Sequence, residues 1–252
     1  MQDEKRPSGN ENFSWSHFDS EAYFQHYYGE PHVDDDNVIK LACAALMGAA
    51  PDGAMLRMVD VGTGPNLFPL LLSLPRASSL TAWEYSRSNV EWLNAEIASD
   101  SMRSQWRHFW KVVVDAYGPA AALPDNPMPI LRERVGVRNG SVYELPERQW
   151  DAATMFFCAE SITEQRSQFE AACVRFARSV LPGGPLIAAF LVGSSGYAVS
   201  ERPFPVLNIS EADIHAVFAP ISANKRTQQI GIVEKEIRSG YSGMVFLSAQ
   251  AA

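Results

Sequence analysis

The chain has 252 residues, 46% of them hydrophobic and 20% charged, with a formal net charge of −8, a length and make-up suited to one α/β domain with a substantial core. The negative balance argues against a nucleic-acid substrate, whose phosphates require a clustered positive surface, and no long run of Lys and Arg offsets it; no apolar run reaches the roughly eighteen residues of a membrane span. The polar N-terminus has no apolar stretch of the secretory kind, and three widely spaced cysteines, Cys43, Cys158 and Cys173, fit reduced thiols in the cytoplasm.

Residues 1–12 are polar and expected to form a disordered arm, with a single domain over 13–252. Asp19 or Ser20 can cap a helix that carries Tyr23, Phe24, Tyr27 and Tyr28 at i, i+1, i+4 and i+5. An aromatic stripe at that spacing suits a core as well as a ligand site. Asp34-Asp35-Asp36-Asn37 then caps a helix over 38–47, its acids favoured by the dipole.

The centre of the chain is Met58-Val59-Asp60-Val61-Gly62-Thr63-Gly64-Pro65. The apolar run reads as a buried strand. Gly62 and Gly64 then allow a sharp turn and a close approach to a ligand. The helix expected next, over 69–74 with Pro65 suiting its first turn, would point free N–H groups at that ligand. A second strand over 80–83 ends in Glu84, twenty residues beyond Gly64. An acid there can accept both hydroxyls of a ribose, so a nucleotide-type ligand is expected. Leu67 stands where a dinucleotide fingerprint has its third glycine, which counts against an oxidoreductase.

Helices are expected over 88–97 and around Trp106, Phe109, Trp110 and 112–114. A proline-rich loop covers 116–130, and 131–134 stay unassigned. Strands follow at 135–142 and 150–158, then a helix over 165–180 that stops at Leu181-Pro182-Gly183-Gly184-Pro185. A strand over 186–192 leads to a polar loop, and Ser210 caps a helix through Phe218. Segments 228–237 and 243–249 read as a closing antiparallel pair. The alternation predicts a seven-stranded, mostly parallel sheet with helices on its faces. His17, His26, His32, His108 and His215 are scattered, and no metal is expected.

Three stretches together resemble the small-molecule N-methyltransferases typified by the nicotinamide, phenylethanolamine and indolethylamine enzymes. They are Phe18-Asp19-Ser20-Glu21-Ala22-Tyr23-Phe24-Gln25-His26-Tyr27-Tyr28, Val59-Asp60-Val61-Gly62-Thr63-Gly64-Pro65 and Glu84-Tyr85-Ser86-Arg87-Ser88-Asn89. The resemblance implies a Rossmann-like class I methyltransferase fold with an N-terminal helical lid over 13–36, and S-adenosylmethionine as cofactor. It implies that Tyr23 and Tyr28 close over the ligands, that Asp60, Gly62, Thr63 and Gly64 form the floor, and that Glu84, Tyr85 and Asn89 surround the ribose. Phe68 would replace a tyrosine contact, Ser141 and Val142 would hold the adenine where relatives have an Asp, and Phe157 would complete the cofactor site.

Glu160 falls where the family presents a substrate-binding acid, and it is the expected catalytic residue. The second family acid falls on Gly193 or Ser194 and is lost. Trp15, Phe18, Tyr27, Phe190, Ser194 and Tyr197 are expected to line the pocket of a flat aromatic amine. The expected reaction is N-methylation of an arylalkylamine or indolamine, the alternative being methylation of an indole C3 with Glu160 as base. A dinucleotide oxidoreductase and a silent cofactor-binding protein are the other readings. No obligate protein partner is expected.

Overall fold

The strand Leu56–Val61 (β1) lies mid-sheet because its last four residues are apolar or hydrogen-bonded and wholly covered. It pairs in parallel with Ala77–Glu84 (β2) on one side and Ala152–Phe156 (β4) on the other. Val135–Asn139 (β3) extends the sheet beyond β2, and Pro185–Val192 (β5) extends it beyond β4, both parallel. Gly243–Ala251 (β9) then runs antiparallel to β5, and Ser222–Ile230 (β8) antiparallel to β9, which gives the order β3-β2-β1-β4-β5-β9-β8. The seven-stranded, mostly parallel sheet with its closing antiparallel pair is thus as the sequence predicts. The computed structural model describes residues 9–49, 53–231 and 238–252. The expected arm over 1–8 and the stretch 232–237 of the expected strand 228–237 lie outside the described residues.

Successive residues of a strand face opposite sides. Met58 therefore packs with Leu46, Leu70 and Phe109 from Val33–Ala49 (α2), Phe68–Ser73 (α3) and Ser104–Tyr117 (α5). Val59 and Val61 pack on the other face with Phe169 and Phe218 from Arg166–Arg178 (α7) and Glu211–Phe218 (α8). Arg87–Ala98 (α4) is capped by the Ser86 hydroxyl, and α8 by a full capping box between Ser210 and Asp213.

Several boundaries differ from expectation. The helix after the glycine turn starts at Phe68, with Pro69 in its first turn, so Pro65 stays in the turn itself. Asn66 fixes that start by accepting the Phe68 N–H (2.9 Å). The helix after the acidic run begins at Val33 and contains Asp34, Asp35 and Asp36 in its first turn. The unassigned 131–134 belong to Met128–Arg134 (α6), and an unexpected hairpin, Tyr197–Val199 (β6) with Arg202–Phe204 (β7), interrupts the polar loop.

Asn10–Asn12, assigned to the disordered arm, form a turn tied to the domain. Asn10 N–H donates to Gln168 Oε1 (2.8 Å), and Asn10 Nδ2 donates to the Ile162 carbonyl (3.0 Å). The aromatic stripe of Ser20–Tyr28 (α1) divides. Phe24 enters the main core against Trp92 and Trp106, Tyr23 and Tyr27 turn to the site, and Tyr28 borders both.

Candidate active site

Two adjoining cavities open at this end of the sheet, the first above the C-terminal ends of β1, β2 and β4 and the second beside it, over the end of β5 and the start of β9. Tyr23, Tyr28, Phe157 and Arg238 line both. In the first, the chain leaves β1 through Gly62 and Gly64, whose φ angles of 68° and 62° lie in the left-handed region. A Cβ on Gly62 would stand 2.2 Å from Cys158 Sγ, so the absence of a side chain there is a packing requirement.

Glu84 is buried beside this turn. Its Oε2 accepts the Gly64 N–H (2.9 Å), and its Oε1 accepts the Ser86 N–H (2.7 Å) and Asn89 Nδ2 (3.3 Å). Burial raises its pKa against the pull of those donors. The carboxylate therefore braces the glycine turn, and the lone pair left on Oε2 lies at the wall of the cavity that Glu84 lines. Asn89 also accepts the Ser20 hydroxyl (2.7 Å), which docks α1 over the site.

Ser141, Val142 and Tyr143 wall the other end, with Tyr85, half exposed, at the rim. Ser141 Oγ accepts the Tyr143 N–H (3.3 Å), so part of the hydroxyl expected at an adenine serves the local turn. Trp15, Phe18 and Tyr197, expected around a substrate, line this first cavity instead. Phe204 of the unexpected hairpin clusters them, its ring centroid 4.9 Å from Phe18 and 5.3 Å from Trp15.

The second cavity is lined by Tyr23, His26, Tyr27, Tyr28, His32, Asp35, Phe157, Leu191, Arg238 and Met244. Burial pushes Asp35 up to about 8, with Asp36 and Asp34 adding to the shift. His32 Nε2 is buried with no hydrogen-bond partner among the described residues. Arg238 is buried too. It donates to Ser161 Oγ (2.9 Å) and Tyr23 Oη (3.4 Å) and lies 4.1 Å from the Tyr197 ring centroid and 5.4 Å from that of Tyr27.

Five residues expected at the site line neither cavity. Asp60 lies beneath the turn, where Oδ1 accepts the Thr154 hydroxyl (2.6 Å) and burial pushes its pKa up to about 7. Phe68 is core, its ring packed among Tyr28, Phe109 and Phe156. Phe190 points to the opposite face of the sheet, against Phe169 and Phe218, because its neighbour Leu191 takes the cavity face. Ser194 is buried past the turn at Gly193. Glu160 is turned back onto β5, where Oε1 accepts the Leu191 N–H (3.0 Å), and burial pushes it up to about 7.

Arg238, Asp35 and His32 were not singled out from the sequence. Asp35 reads there as a helix cap and Arg238 as part of a hairpin turn. Only the fold brings the start of α2 and the segment before β9 to one cavity. Among the described residues no group of three or more His, Cys, Asp or Glu could hold a metal.

The model of the NNMT/PNMT/TEMT family matches residues 8–252. Phenylethanolamine N-methyltransferase of Sus scrofa is 22% identical, over 94% of this chain and 89% of its own. Nicotinamide N-methyltransferase of Homo sapiens is 21% identical over 80% of each chain. Among solved structures, the fold is similar to magnesium protoporphyrin IX methyltransferase from Synechocystis with bound SAM. That match has a TM-score of 0.57 and 14% identity and covers 94% of this chain and 93% of that one. It is also similar to a 1,6-didemethyltoxoflavin-N1-methyltransferase of Burkholderia thailandensis with its substrate and S-adenosylhomocysteine bound, with a TM-score of 0.52 and 13% identity, covering 92% and 86%.

Proposed function

This chain belongs to the NNMT/PNMT/TEMT family and is an S-adenosylmethionine-dependent methyltransferase, and from that premise we propose that it methylates the nitrogen of a small aromatic amine of the arylalkylamine or indolamine type. The supporting observation is the second cavity. Its aromatic walls, Tyr23, Tyr27, Tyr28 and Phe157, suit a flat ring, and it joins the glycine-turn cavity directly.

The first cavity fits the cofactor. A Cβ at Gly64 would meet almost nothing, so the floor is open there, and the buried Glu84 keeps an Oε2 lone pair for a ribose hydroxyl. Bound there, S-adenosylmethionine supplies an activated methyl group. The protein's part is alignment: Tyr23, Tyr28 and Phe157, shared by both cavities, hold an acceptor ring at their junction and exclude water. The attacking nitrogen must be unprotonated. Asp35 reaches the acceptor cavity, and burial brings its pKa to about 8, near the operating pH that proton transfer favours. We assign it the task intended for Glu160, which faces away.

A second acceptor atom has an observation of its own. Methylation at an indole C3 needs a base for the ring N–H, and His32 Nε2 is buried, without a partner among the described residues, on the wall of the same cavity. A turnover assay with S-adenosylmethionine and a panel of phenylethylamines, tryptamines and anilines tests the reading. At least one aromatic amine is expected to release S-adenosylhomocysteine well above the amine-free rate. Inactivity across the panel, with the cofactor shown to bind, overturns the substrate assignment.

A further inference from the structure

Arg238 places a buried cation at the junction of the two cavities, and no ion pair to it is seen among the described residues. It is 5% exposed, and among the described residues no carboxylate lies within ion-pair distance. A guanidinium carries five N–H donors. The contacts seen are Ser161 Oγ at 2.9 Å and Tyr23 Oη at 3.4 Å, and Nε has no partner among the described residues. The charge of Glu160 acts on it, but one oxygen of that carboxyl is taken by the Leu191 N–H, and burial holds it up to about 7, so it is an incomplete counter-ion at neutral pH.

The rings of Tyr197 and Tyr27 support the charge from the side, and a stacked guanidinium keeps its in-plane N–H edge available. Burying a charge without a counter-ion is costly, so the unspent donors at a cavity wall mark where an anion is meant to sit. A planar two-donor edge matches a carboxylate.

We propose that Arg238 is the carboxylate-binding residue of the double cavity. Because it lines both halves, the carboxylate can come from either ligand: the methionine part of the cofactor, or a carboxylate carried by the aromatic acceptor. In the second case the acceptor is an aromatic amino acid rather than a simple amine. The proposal rests on reading the two cavities as cofactor and acceptor pockets.

Calorimetric binding to the wild-type protein, Arg238→Gln and Arg238→Lys separates the sources. One pair of probes is S-adenosylhomocysteine and its decarboxylated analogue. The other is tryptophan and tryptamine, added to protein saturated with S-adenosylhomocysteine. If the cofactor supplies the carboxylate, the wild type prefers S-adenosylhomocysteine over its analogue by about ten- to a hundredfold. Arg238→Gln erases that preference while binding the analogue within about twofold of the wild type, and Arg238→Lys keeps part of it.

If the acceptor supplies the carboxylate, Arg238→Gln leaves S-adenosylhomocysteine unchanged and abolishes a preference for tryptophan over tryptamine. Absence of any carboxylate preference in the wild type overturns the proposal without recourse to a variant. So does an Arg238→Gln protein that weakens all four ligands alike as its thermal stability falls, which is the mark of a structural arginine. The readout is binding, so failure of the amine panel to turn over leaves the cofactor pair intact as a test.

Discussion

At the scale of single residues, Glu84 has two duties, and its replacement separates them. Glu84→Ala removes charge-assisted bonds worth roughly 1.5–3 kcal/mol, which is about ten- to a hundredfold in S-adenosylhomocysteine affinity. Glu84→Gln keeps an acceptor for one turn N–H and should lose less. A change under threefold for the alanine variant, measured by calorimetry, would reduce Glu84 to a brace. Gly62→Ala adds a Cβ that meets Cys158 at a φ of 68°, so binding and melting temperature should both fall. Undiminished binding would mean the floor lies elsewhere. Asp35 gives a signed pH dependence. Its folded pKa of about 8 stands above the usual 3.8, so its contribution to stability is fully present below about pH 4 and is lost as pH rises to about 8. Asp35→Asn should therefore gain stability over the wild type across that window, by at most about 1.4 kcal/mol per pH unit. Parallel melting curves from pH 5 to 8 would show that the carboxyl is not held neutral. The glycine turn and Glu84 were legible because their spacing is local. Glu160 and Phe190 were misplaced because a sequence does not say which face of a turn or strand a side chain takes.

At the scale of elements, α1 has two roles. Tyr23 and Tyr27 face the cavities, but Phe24 lies wholly within the main core, and Ser20, Glu21 and Asp19 tie the helix to Asn89, Arg103 and Ser200. Deleting residues 1–28 would thus remove core as well as cover. Thermal stability is expected to fall together with methyl transfer, and a truncated protein of undiminished melting temperature would contradict that packing. A lid function is expected in the segment ahead of Phe24. Hydrogen exchange over residues 13–23 should slow when S-adenosylhomocysteine binds, since a cover that admits ligand must open. Equal protection with and without ligand would make the segment ordinary core. The helix itself was readable from its cap and stripe, but its divided burial was not, because i and i+1 face different neighbours only once α4 and α5 are in place.

At the scale of the molecule, the mostly parallel seven-stranded sheet and its closing antiparallel pair followed from the alternation of apolar runs with helices, whereas the strand order came only with the structure. The second cavity did not follow, because it is made where the start of α2 meets the end of β5 and the segment before β9, far apart in the chain. Its aromatic walls and buried Asp35 underlie the central claim, that the methyl group goes to the nitrogen of a flat aromatic amine. The most direct measurement is nuclear magnetic resonance of the product formed from S-adenosylmethionine with an isotopically labelled methyl group and an indolamine or arylalkylamine acceptor. The account predicts the label bonded to nitrogen. A label on a ring carbon, or none on any aromatic amine, would contradict it.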